Sequence, residues 1–109
     1  MKISQKALET LQKNNIDFDY IPDCGITDKL IEVIEPYAGL IIRSASKVSK
    51  EVIDSGKNLQ VIGRAGIGVD NIVLKAASSK GIVVMNTPDG NATTTAEHTL
   101  AMIFAACRQ

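Results

Sequence analysis

Neither sign of charge prevails in this chain: 12 lysines and arginines stand against 12 aspartates and glutamates, a formal net charge of zero. Proteins of nucleic acid and of membrane surfaces draw affinity from a basic surplus, so the balance argues against both partners. Tryptophan is absent, and two Phe and two Tyr are the only aromatics, so the core has to be aliphatic. No apolar run approaches the roughly 20 residues that span a bilayer. The opening MKISQKALET carries no apolar leader core, and a cytoplasmic location is the expectation. Cysteine is scarce: Cys24 and Cys107 stand far apart, at no metal-ligand spacing, and read as free thiols. No metal is expected. What is present is 45% apolar residues over 109 positions, enough for one packed domain.

Helical and strand patterns alternate along the chain. Ser4 is placed to cap a helix with Ala7, Leu8 and Leu11 on one face, stopped by Asn14 and Asn15. Ile16, Phe18 and Tyr20 alternate with Asp17 and Asp19, the pattern of an edge strand wet on one side. Thr27 opens a second helix carrying Leu30, Ile31 and Ile34, and Pro36 ends it. The run Gly39-Leu40-Ile41-Ile42-Arg43 is continuously apolar up to its closing arginine, as in a strand covered on both faces. Ser49 opens a third helix with Val52 and Ile53 inward and Gly56 as its stop. Leu59 to Gly63 and Gly81 to Met85 repeat the buried-strand pattern, with a short helix in Asp70 to Lys80. Thr94 to Glu97 matches a capping box ahead of an apolar helix from Ala96 to Cys107. Strands separated by helices predict an α/β fold with a parallel sheet and helices on both faces.

In open α/β sheets ligands bind beyond the carboxyl ends of the strands. Those ends read Arg43-Ser44-Ala45-Ser46-Lys47, then Gly63-Arg64-Ala65-Gly66-Ile67-Gly68-Val69-Asp70-Asn71, then Asn86-Thr87-Pro88-Asp89-Gly90-Asn91. Arginine presents a rigid fork of donors suited to carboxylate and phosphate oxygens, so one rim of the sheet is equipped for a small anion. Gly66 and Gly68 let backbone N–H groups come close to a ligand oxygen. The alternative is structural, with Arg43 and Arg64 capping carbonyls or pairing with Asp70. The glycine order G-x-x-G-x-G reverses the dinucleotide fingerprint G-x-G-x-x-G, and no acidic residue follows at the required distance. His98, the one histidine, sits at the start of a helix without an evident orienting partner for base catalysis. No nucleophile motif is present.

The segments LIIRSASKV, VIGRAGIGVDNI and IVVMNTPDGNATTTAEHT, at these spacings, closely resemble the substrate-binding domain of the D-3-phosphoglycerate dehydrogenases. These are D-isomer-specific, NAD-dependent 2-hydroxyacid dehydrogenases, and the resemblance runs from Lys2 to Gln109. The G-R-A-G-x-G-V-D-N block discriminates most, because glyoxylate, formate and lactate members usually differ there. The resemblance implies a flavodoxin-like domain that, in a full enzyme, pairs with a Rossmann domain binding NAD. Such an enzyme oxidises 3-phosphoglycerate to 3-phosphohydroxypyruvate, the first committed step toward serine.

By position, the resemblance places Arg43 and Lys47 near the substrate phosphate. It adds contacts from Arg64 and Asn91, and it puts the backbone amides of Gly66, Ile67 and Gly68 on the carboxylate. Ile67 stands where the family often has a threonine reaching the cofactor, so only its backbone is left for that contact. The family's catalytic Arg, Glu and His belong to its nucleotide domain, and no catalytic residue is expected in this chain. The expectation is a single truncated substrate-binding domain over 1–109, inactive alone, with an inter-domain helix over 94–109. It lacks the nucleotide domain and the family's first strand, which would lie between the 16–20 and 40–43 strands. A homodimer or larger assembly is expected, with a swapped segment as one way to build it. The alternative is a stand-alone, non-enzymatic α/β module with a structural, assembly or anion-binding role.

Overall fold

The computed structural model describes residues 4–21 and 27–108; Cys24 lies outside the described residues. The elements run α1 (Gln5–Lys13), α2 (Thr27–Val33), β1 (Gly39–Ile42), α3 (Lys50–Ser55), β2 (Val61–Arg64), α4 (Leu74–Ser79), β3 (Val83–Asn86) and α5 (Ala92–Cys107). The three strands form one parallel sheet in the order β1-β2-β3. This is the α/β parallel architecture that the strand and helix alternation predicts.

Two rows of the register set the core. Leu40, Ile62 and Val84 are opposite one another, and so are Ile42, Arg64 and Asn86. Alternation puts both rows on one face of the sheet. On that face Ile42 and Ile62 join Leu30 and Ile34 from the α2 segment, Val52 and Ile53 from α3 and Ala77 from α4 in a single cluster. Val48, Val52, Ile53 and Ile62 are wholly buried, and each such side chain contributes about 1.5–3 kcal/mol of apolar burial. The core is aliphatic, as the shortage of aromatics requires.

The other face carries Ile41, Val83 and Met85, which are 53%, 57% and 58% exposed. Helices on both faces, and β1 covered on both sides, were the expectation; among the described residues the core lies on one face only. Topology supplies the reason. Successive parallel crossovers are right-handed, and two that advance the same way, β1 to β2 to β3, place α3 and α4 on the same side.

Two further expectations need correction. Residues 16–20 form no strand, because no neighbouring chain offers them a ladder among the described residues. The Ile16 N–H donates back to Leu11 O at 3.1 Å, and the segment is held by Tyr37 Oη donating to Asp19 Oδ2 at 2.6 Å. The Thr94 capping box does not form either. The turn over 88–91 closes early, Asn91 becomes the N-cap, and Thr94 falls inside α5. At α1 the expected cap is present, with the Ala7 N–H donating to Ser4 Oγ at 3.3 Å. Asn15, with φ of 53°, turns the chain out of that helix.

Candidate functional site

The carboxyl ends of β1 and β2 and the start of α5 enclose a cleft of about 600 Å³. Arg43 and Ser44 come from the end of β1. Arg64, Ala65, Gly66, Ile67 and Gly68 come from the end of β2. Asn91, Ala92, Thr95, Ala96 and Thr99 come from the N-cap and first two turns of α5. Arg43 and Arg64 are the only charged residues in that lining. The lining is therefore positive, and the carboxylate beside it is that of Asp70, outside the lining, with an oxygen against Gly68.

Backbone ties hold the rim. The Ala65 N–H donates to Ile42 O at 2.9 Å, and the Thr87 N–H donates to Gly66 O at 3.0 Å, so the glycine loop is fastened on both sides. The loop after β1 is fastened by Asn71, whose Nδ2 donates to Arg43 O at 3.0 Å and to Ser46 O at 2.7 Å. The backbone of Asn71 completes the clasp, its carbonyl accepting from the Val48 N–H at 2.8 Å, beside the parallel Val48–Ile72 bridge.

Arg64 is half-buried and lies over Gly66 so closely that a Cβ on that glycine would collide with the guanidinium. Its Nε is buried without a hydrogen-bond partner among the described residues. Among the described residues neither Arg43 nor Arg64 makes an ion pair, so pairing with Asp70 is not how either charge is used. A guanidinium free of internal carboxylates retains its donor fork for an external oxyanion.

Six of the seven residues singled out from sequence thus meet in one cleft: Arg43, Arg64, Gly66, Ile67, Gly68 and Asn91. Lys47 does not; it is exposed and stands outside the lining. His98 is exposed on α5 and also lies outside it. Sequence reasoning missed the α5 wall, although 92, 95, 96 and 99 recur at helical spacing. It also missed the clasp by Asn71, which depends on a loop-to-loop distance that no local pattern encodes.

Known proteins resemble this chain in sequence and in fold. The model of the D-isomer specific 2-hydroxyacid dehydrogenase catalytic domain matches residues 1–106. A D-3-phosphoglycerate dehydrogenase of Archaeoglobus fulgidus is 44% identical over 108 residues, covering 98% of this chain and 20% of its own length. The Homo sapiens D-3-phosphoglycerate dehydrogenase is 45% identical over 103 residues, 94% of this chain and 18% of its own. The crystal structure of cofactor (NAD+) bound 3-phosphoglycerate dehydrogenase from Entamoeba histolytica superposes with a TM-score of 0.82 at 34% identity. That match covers 94% of this chain and 35% of the other. The chain spans about one fifth of the length of the curated relatives it matches. The resemblance carried by the G-R-A-G-x-G-V-D-N block is borne out, and the chain belongs to the D-isomer specific 2-hydroxyacid dehydrogenases, within their catalytic domain.

Proposed function

We propose that this chain supplies the substrate-anion side of a D-3-phosphoglycerate dehydrogenase and performs no hydride transfer by itself. The observation that carries the reading is the positive cleft, where two arginines with no ion pair among the described residues flank a glycine loop. A 2-hydroxy acid presents a carboxylate, and 3-phosphoglycerate adds a phosphate. Donor forks from Arg43 and Arg64, with backbone N–H groups of the glycine loop between them, suit two such anionic ends. Asn91 adds a side-chain amide from the α5 side. Lys47 has no part in this version of the site.

In such an enzyme NAD accepts the hydride from the carbon bearing the hydroxyl. The described residues do not fit the dinucleotide. A pyrophosphate cradle needs a strand running directly through glycines into a helix start. Here β2 ends at Arg64 and α4 begins only at Leu74, and α4 takes no part in the cleft. Acid–base work is not supported either: His98 is exposed, and its imidazole makes no hydrogen bond among the described residues. This chain binds and orients, and the redox step belongs to groups beyond it.

The test combines binding and turnover on the 109-residue chain. Titration with 3-phosphoglycerate is expected to shift the amide signals of Gly66, Ile67 and Gly68, and Arg43→Ala to abolish those shifts. NADH formation from 3-phosphoglycerate and NAD is expected to stay at the level of the blank. Shifts that persist unchanged in Arg43→Ala sink the binding assignment, and turnover above the blank sinks the claim of inactivity.

A further inference from the structure

We infer that Asn86 is a positioning residue of the rim, turning a backbone N–H into the cleft through a carboxamide contact. The inference rests on the anion-binding reading above and names what aims the donors of that site. Asn86 ends β3 directly opposite Arg64 in the register. Its Nδ2 donates to Ile67 O at 2.6 Å, while the Thr87 N–H donates to Gly66 O at 3.0 Å. Two consecutive carbonyls of the glycine loop are thus drawn toward the end of β3.

The described residues contain no cis peptide bond, and in a planar trans unit the N–H points opposite to the C=O. The Ile67 N–H shares its peptide with the Gly66 carbonyl, and the Gly68 N–H shares its peptide with the Ile67 carbonyl. Both N–H groups therefore point away from β3. Because β2 lies between β1 and β3, away from β3 means toward β1, where Arg43 and Ser44 line the cleft. Neither N–H donates to any of the described residues. Two successive N–H groups turned the same way form a concave donor pair for one carboxylate or phosphate oxygen.

The two clamps are unequal. The one on Gly66 is backbone and persists with any side chain. The one on Ile67 depends wholly on the Asn86 carboxamide. Removing that carboxamide frees the peptide joining Ile67 to Gly68 while the preceding peptide stays in place, so the effect falls on one N–H of the pair.

The experiment uses the ¹⁵N-labelled 109-residue chain, weakly aligned, with N–H residual dipolar couplings read before any ligand is added. Inorganic phosphate is then titrated in. In Asn86→Ala the Gly68 coupling is expected to depart from wild type, while those of Ile67 and of Ile62 in the core do not. The phosphate-induced shift of Gly68 is lost and that of Ile67 is kept. Asn86→Asp has the same shape but accepts rather than donates at neutral pH. It is expected to reproduce the Gly68 change, which separates donation from packing. A Gly68 coupling unchanged in both variants overturns the inference, as does an equal change at Ile62. The couplings are measured on the ligand-free chain, so a wild type without phosphate shifts counts against the anion-binding reading and not against the role of Asn86.

Discussion

At Gly66 the lack of a side chain decides where an arginine rests. The Arg64 guanidinium occupies the volume that a Cβ would fill. The colliding atoms are the tip of a flexible side chain, so Gly66→Ala is expected to leave the fold standing, within about 1 kcal/mol of wild type for a change that the surface absorbs. It displaces Arg64, and phosphate-induced shifts in the loop should weaken markedly. Urea unfolding and the titration together check both halves. Asn71 gives the opposite balance. Asn71→Ala removes two hydrogen bonds at about 0.5–1.5 kcal/mol each, so a loss of about 1–3 kcal/mol in urea unfolding is expected. Arg43, Arg64 and the glycine loop were legible because strand ends and residue chemistry are local signals. Asn71 and Asn86 were passed over because their role is a reach between loops far apart in sequence.

At the scale of elements, the hydrophobic periodicity located all three strands and helices α1 to α4 to within a few residues. It erred where tertiary context decides. The run through β1 is apolar on both faces, yet Ile42 is buried and Ile41 is half open; periodicity registers apolar residues and not what covers them. The alternation over 16–20 has the period of a strand, yet it joins no ladder among the described residues. The asymmetry of the sheet is measurable. Ile53→Ala, in the closed core, should cost about 2–5 kcal/mol, whereas Ile41→Ala on the open face should stay within about 0.5 kcal/mol of wild type. Urea midpoints of the two variants decide the matter.

Between α3 and α4 an electrostatic tie joins the shared apolar core. Lys50 Nζ donates to Asp54 Oδ2 at 2.9 Å, and Lys80 Nζ lies 3.1 Å from Asp54 Oδ1 while donating to Ile53 O at 3.0 Å. Hydrogen bonds from Lys50 first, and Lys80 second, hold the Asp54 carboxyl below its ordinary range. A carboxyl depressed in the folded chain adds stability above its unfolded pKa, about 3.9, and loses it as pH falls through the lower folded value. Asp54→Asn should therefore lose less stability than wild type between pH 6 and pH 3, a difference read from urea unfolding at the two pH values.

The whole molecule is extended. Its radius of gyration is 16.7 Å, with extents of 54 × 32 × 24 Å, where a compact chain of this length has about 13 Å. Ile41, Val83 and Met85 on the open sheet face, and Leu100, Met102, Ile103 and Phe104 on α5, are each more than half exposed. Apolar surface on this scale favours contact with protein over contact with water. The chain alone is expected to associate at micromolar concentration. Sedimentation velocity checks it, and a single monomeric boundary across that range contradicts it.

The far wall of the cleft is the first two turns of α5, a helix of 16 residues with none buried and no packing against another described element. Isolated helices of this length are marginal in water, because one costly nucleus is shared by few hydrogen bonds. Amides in α5 should therefore exchange with solvent far faster than those of β2, and the wall exists only for the fraction of time that the helix is wound. An anion bound against Thr95 and Thr99 has to supply that winding from its own contacts. Burial of Phe104 at the distant end of the same helix would supply it in advance. On the anion-binding reading proposed above, the affinity of the rim is then set in part at a place the anion never touches.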